Sequence, residues 1–84
     1  MALLFFGQAR EIVGVEEGEW SVLLEEKENF PKSVKELRTA LLAAFPALGE
    51  LSSLAIAVNA DYAEEDTPLE STDEIAIIPP VSGG

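Results

Sequence analysis

Eighty-four residues, 48% of them apolar, suffice for one hydrophobic core and leave no room for a second. Sixteen acids against five bases give a formal charge of −11, which repels phosphate backbones and anionic lipid and argues against nucleic acid and membrane as partners. Neither Cys nor His is present, which excludes disulfides, thiolate nucleophiles, zinc centres and the usual general base. The opening MALLFF is too short for a signal-peptide core and has no basic residue before it, and no apolar run approaches the roughly 20 residues of a membrane helix. A cytoplasmic protein is expected.

In chain order, Leu3 to Phe6 is an apolar run ended by Gly7 and reads as a strand, with GQAREIVG as a connecting loop. Trp20, Val22 and Leu24 alternate within EWSVLLEE, the period of a second, half-buried strand, so the chain is expected to open with a hairpin. FPKSVKELRTALLAAFP predicts the main helix. Ser33 and Glu36 have the spacing of a capping box; Val34, Leu37, Leu41 and Ala44 fall on one face, and Pro46 stops the run. Leu54, Ile56 and Val58 alternate before a turn near Asn59 and Asp61, and EIAII is a last, strongly apolar strand cut off by Pro79 and Pro80.

One helical stripe needs one sheet face, which predicts an α+β fold: a mixed sheet of four to five strands, one main helix, and the first and last strands together at the centre. That is a ubiquitin-like β-grasp. The domain is expected over residues 1–78, with residues 79–84 as an extended tail ending in Gly-Gly.

The body of the domain offers little chemistry. The pairs Glu16–Glu17, Glu25–Glu26 and Glu64–Glu65 read as solvated surface, DYAEED lacks the glycine and the spacing of a calcium loop, and no serine has a histidine to activate it. The tail is different. Pro79 and Pro80 stiffen its base, and Val81, Ser82, Gly83 and Gly84 narrow it to a thread that extends roughly 20 Å with the prolines included. Such a thread can carry a terminal carboxyl into another protein's active site. A carboxylate is a poor electrophile, so it would first be activated, for example as an acyl-adenylate. A sulfur donor could then displace the nucleotide and leave a thiocarboxylate, whose sulfur is nucleophilic near neutral pH.

The stretches LLFFGQAREIVG and VNADYAEEDTPLESTDEIAIIPPVSGG resemble the family of molybdopterin synthase small subunits, ubiquitin-like sulfur carriers of molybdenum cofactor biosynthesis. With the helix, the resemblance covers most of the chain; it is weakest from about Glu16 to Lys32, which is longer than in compact members. It implies that a ubiquitin-activating-type enzyme, using ATP bound to itself, adenylates Gly84. The sulfurated tail would then enter the large synthase subunit, which holds the active site, and pass sulfur to cyclic pyranopterin monophosphate. This chain itself would bind no cofactor. Phe6, Arg10, Tyr62 and Ile78 match positions that line the partner interface, although an aromatic commonly stands where this chain has Ile78. Phe6 and Ile78 each have a second reading as core. Two other functions share the activated terminus: a thiazole-pathway sulfur carrier, and a protein modifier conjugated through Gly84.

Overall fold

The computed structural model describes residues 1–51 and 53–80. Among these residues five strands form one sheet in the order β2-β1-β5-β3-β4. They are β1 (Ala2–Phe5), β2 (Glu17–Glu19), β3 (Ala55–Val58), β4 (Asp61–Tyr62) and β5 (Glu74–Ile78). The first and last strands pair in parallel, Leu3 opposite Ile75 and Phe5 opposite Ile77; the other pairings are antiparallel. The expected β-grasp is therefore present, with β5 at its centre.

The connection after β1 is a helix, α1 (Gly7–Val13), where the sequence suggested a loop. Its glycines bracket it: Gly14 ends it at φ 90°, donating its N–H to the Arg10 carbonyl. Ala9 is the fully buried residue of α1, and Ile12 and Val13 pack beside it at i+3 and i+4, a helical spacing too short, between two glycines, to stand out in the sequence. The alternation of Trp20, Val22 and Leu24 does not mark a strand either; the strand lies just before it. β2 stops at Glu19, and Trp20–Leu23 form a helical turn, α2, which leaves Val22 74% exposed while Trp20 is buried. The first two strands do pair, but across α1 rather than through a hairpin loop.

The main helix, α3 (Val34–Ala44), is capped as expected, with Ser33 Oγ accepting from the Glu36 amide at 3.3 Å. The Glu36 carboxylate reaches one residue past the cap and accepts from the Lys32 amide at 3.1 Å. The remaining amides of the first turn are also used: Val34 donates to the Thr67 carbonyl, Lys35 to Glu65 and Leu37 to Ser33. Val34, Leu37 and Leu41 are buried against Leu3, Phe5, Ile56, Ile75 and Ile77. Ala44 is exposed, contrary to its place in the stripe, and Phe45 and Leu48 take over the packing as the chain enters a 3-10 helix over Pro46–Glu50. Arg38 ties this corner together, its Nε donating to Glu65 at 2.8 Å and its Nη1 to the Leu54 carbonyl.

The segment between α2 and α3 is built around two contacts. Trp20 and Phe30 meet edge to face with centroids 5.2 Å apart. Glu26 Oε1 accepts from the amides of Lys27, Glu28 and Asn29 at 3.2–3.3 Å. These bonds, led by those of Glu28 and Asn29, hold the Glu26 carboxyl below the ordinary carboxylate pKa of 4.5. A depressed folded-state pKa stabilises the fold above the unfolded value, and that contribution is lost as pH falls through the lower folded one. In urea titrations across that acid range, the stability advantage of the wild type over Glu26→Gln should therefore be full at neutral pH, shrink once pH falls below the unfolded pKa, and disappear only below the lower folded one. A pH-independent difference would remove this assignment.

Candidate functional site: the open sheet face and the base of the tail

The three central strands are apolar at both parities, so both faces of the sheet are apolar while α3 covers only one. On the uncovered face the pairing lines up a row: Leu4 on β1 opposite Ala76 on β5, Ala76 opposite Ala57 on β3, and Ala57 opposite Tyr62 on β4. One step further along, Ile78 stands opposite Ala55, and Phe6 continues the extended backbone of β1 with its amide donating to the Ile77 carbonyl at 3.3 Å. Phe6 is 48% exposed and Tyr62 76%. Both are large apolar surfaces, Tyr62 held on β4 and Phe6 on the extended residue between β1 and α1. The three alanines lie low between them, so the face is a shallow trough with an aromatic at each side.

The structure thus brings Phe6, Tyr62 and Ile78 onto one face, and the core reading of Phe6 is set aside by its exposure. Ile78 is half-buried and belongs to the face opposite Ile75 and Ile77. Arg10 stands apart. It lies on α1, is exposed, and its guanidinium is taken by Glu16 at 2.9 Å, an ion pair worth little at such exposure. Leu4, Ala55, Ala57 and Ala76 were missing from the sequence-based set. Their signal was present in the apolar residues at both parities of LLFF, AIAV and EIAII, which a strand covered on one face does not need.

The turns that frame this face are fixed by side chains. Asn59 and Ala60 both have positive φ, 50° and 74°, the geometry of a two-residue hairpin turn between β3 and β4. Asn59 then binds the start of β5 three ways: its amide to the Glu74 carbonyl, its Oδ1 from the Glu74 amide, and its Nδ2 to Asp73 at 2.9 Å. Tyr62 is thereby presented from a strand of two residues that would otherwise fray.

The base of the tail leaves the sheet beside Phe6. Pro79 and Pro80 are half-buried, and Pro79 packs on Gly7, where a Cβ would come within 3.1 Å of the Pro79 Cγ. Gly7 also has φ +50°. Val81, Ser82, Gly83 and Gly84 lie outside the described residues.

Gly7→Val should cost about 1–2 kcal/mol from backbone strain alone and lower Tm by roughly 4–16 °C. It should also move the Phe6 and Ile78 amide resonances as Pro79 is displaced. Gly14→Ala is the matched control, since Gly14 has positive φ but nothing within 4 Å of a Cβ. Its Tm should fall while the resonances of Phe6 and Ile78 stay in place; equal perturbation by both variants would show that the Gly7–Pro79 contact does not orient the tail base.

Residues 3–84 match the ThiS family. Among named relatives, the molybdopterin synthase sulfur carrier subunit of Caenorhabditis briggsae is 38% identical over 87 residues, covering 98% of this chain and 94% of the relative. That of Escherichia coli is 39% identical over 85 residues, covering 98% and 96%. Among solved structures, a putative molybdopterin converting factor subunit from Pyrococcus furiosus superposes with a TM-score of 0.76 at 22% identity, over 95% of each chain. Small archaeal modifier protein 1 of Haloferax volcanii superposes at 0.72 and 21% identity, over 96% of this chain and 97% of that one. The structural likenesses bear on the fold; with the sequence matches they make this chain a member of the ThiS family, among the molybdopterin synthase sulfur carrier subunits.

Proposed function

We propose that this protein is the sulfur carrier of a molybdopterin synthase, docking through its open sheet face and delivering sulfur on the carboxyl of Gly84. The observation that carries the reading is adjacency: the uncovered apolar face ends at Phe6 and Ile78, where Pro79 starts the run to Gly-Gly. The curated names of the sequence relatives favour the molybdopterin branch over the thiazole one.

In the proposed cycle the Gly84 carboxylate attacks the α-phosphorus of ATP on an adenylating enzyme, and pyrophosphate leaves. A sulfide-level donor attacks the acyl carbon of the adenylate, AMP leaves, and a thiocarboxylate remains. On the large synthase subunit the sulfur bonds to a carbon of cyclic pyranopterin monophosphate, an oxygen substituent leaves that carbon, and water cleaves the resulting thioester so that Gly84 returns to a carboxylate. The role of this chain is to bind, to orient and to carry: Phe6, Tyr62 and Ile78 contribute desolvated contact, Pro79 and Pro80 aim the tail, and Val81, Ser82 and Gly83 thread it. Arg10, engaged with Glu16, would contribute at the rim of the contact.

Docking and delivery separate experimentally. Phe6→Glu and Tyr62→Glu should each weaken binding to the large subunit by about 2–4 kcal/mol, roughly thirty- to a thousandfold, with little change in Tm because both side chains are exposed. Calorimetry and a thermal melt check this; unaltered affinity would move the interface elsewhere.

Delivery is tested by adding one residue after Gly84. The carboxyl moves about 3.5 Å, while Tm should stay within roughly 1–2 °C because the packed core is untouched. Misplacement on that scale costs at least about a hundredfold in rate, so sulfur transfer should stop while docking persists and the variant competes with the normal carrier. Mass spectrometry of the native C-terminal peptide should show sulfur in place of one carboxyl oxygen. Full activity of an untrimmed extended variant would overturn the carrier mechanism, and Gly84 found attached to lysines of other proteins, with no thiocarboxylate, would establish the modifier instead.

A further inference from the structure

On the helix-bearing side, opposite the open sheet face, a groove of about 430 Å³ runs between α3 and the segment that follows β2. Trp20 and Pro31 are among the residues that line it from the segment, and Ala40 and Ala43 from the helix, with Glu25 and Glu26 also in the lining. It exists because the side chains of α3 stop at Cβ there while the opposing wall is held off by its own contacts. Those contacts are the Trp20–Phe30 edge packing and the three backbone amides bound to Glu26. The groove is thus a built space with a firm outer wall.

Its charge selects the occupant. Glu25 forms no hydrogen bond or ion pair through its side chain among the described residues. It stands just past the end of α2 at φ 51°, a position that glycine fills more easily, so the chain keeps a carboxylate there against a backbone preference. In a protein of net charge −11, an anionic ligand is repelled from such a site and a cation is drawn to it. An apolar trough beside a free carboxylate fits a side chain with a long aliphatic stem and a cationic head.

We propose that this groove is a second docking surface, which takes a Lys- or Arg-bearing segment of a protein partner. The stem lies along Trp20, Ala40 and Ala43 and the head pairs with Glu25. Because α3 and the sheet separate the groove from the Phe6–Tyr62 face, both surfaces can be engaged at once. This inference does not depend on the chemistry of Gly84.

The test uses the full chain, uniformly labelled with nitrogen-15, and the acetylated, amidated hexapeptide Ala-Lys-Val-Arg-Ala-Lys. Its addition should shift the amides of Leu24 to Asn29 and of Ala40 to Ala44 saturably, and salt at about 0.5 M should abolish the effect. Replacing the peptide's Lys and Arg by Gln should abolish it too. Glu25→Gly should weaken binding by up to about fivefold, the upper worth of one exposed ion pair, with Tm unchanged or raised. Ala43→Lys, which fills the groove and supplies its own cation, should block binding without unfolding the domain. The proposal is overturned if the shifts fall on the Phe6–Tyr62 face, if spermidine or the Gln peptide binds as well, or if Glu25→Gly leaves affinity unchanged.

Discussion

The parallel pairing of β1 with β5 is the constraint on which the remainder of this structure depends. It joins residues about seventy positions apart, with Leu3 against Ile75 and Phe5 against Ile77, and so brings the two most apolar strands to the middle of the sheet. Parallel neighbours need a long crossover, and here nearly the whole domain serves as that crossover. The helix α3 lies within it and closes over the buried face. The same pairing starts the tail from the central strand, beside the residue that leads into α1. A tail rooted on an edge strand would inherit the fraying of that edge. Rooted on β5, it begins from a strand paired on both sides.

A sheet that is apolar on both faces but covered on one carries a hazard, since the open side invites association between copies. Two features oppose this. The net charge of −11 makes any two copies repel. The edge strands are also short, three residues in β2 and two in β4, and β2 carries Glu17 and Glu19. An acidic body with one apolar face is therefore a coherent design for a small protein that exchanges between larger partners.

Several polar residues that the sequence would leave to solvent act as fasteners. Asn59 and Asp73 join the β3–β4 turn to the start of β5, and Asp73 also accepts from the Glu70 amide at 2.8 Å. Arg38 binds Glu65 and the Leu54 carbonyl, while the loop around Glu65 and Thr67 takes the first amides of α3. Each satisfies backbone groups that a small domain could not otherwise bury. Among the described residues, Arg38 is the cationic side chain that holds two distant segments together, and it is correspondingly the more buried of the two paired arginines.

Local pattern alone determined the features whose causes are local: the capping box at Ser33, the stripe of Val34, Leu37 and Leu41, the stop at Pro46, and the apolar strands at either end of the chain. The β-grasp followed because one helical stripe can cover only one sheet face. The Gly-Gly tail and its motif were equally legible, since they are letters rather than contacts. Tertiary structure decided the rest. Whether GQAREIV coils depends on Ala9 finding the core, and whether Trp20 extends β2 or turns away depends on Phe30, ten residues on. The docking face needed the register, because Leu4, Ala76, Ala57 and Tyr62 become neighbours only when four strands are placed side by side. Alternation tells which residues share a face of one strand; only pairing across strands tells which of them meet.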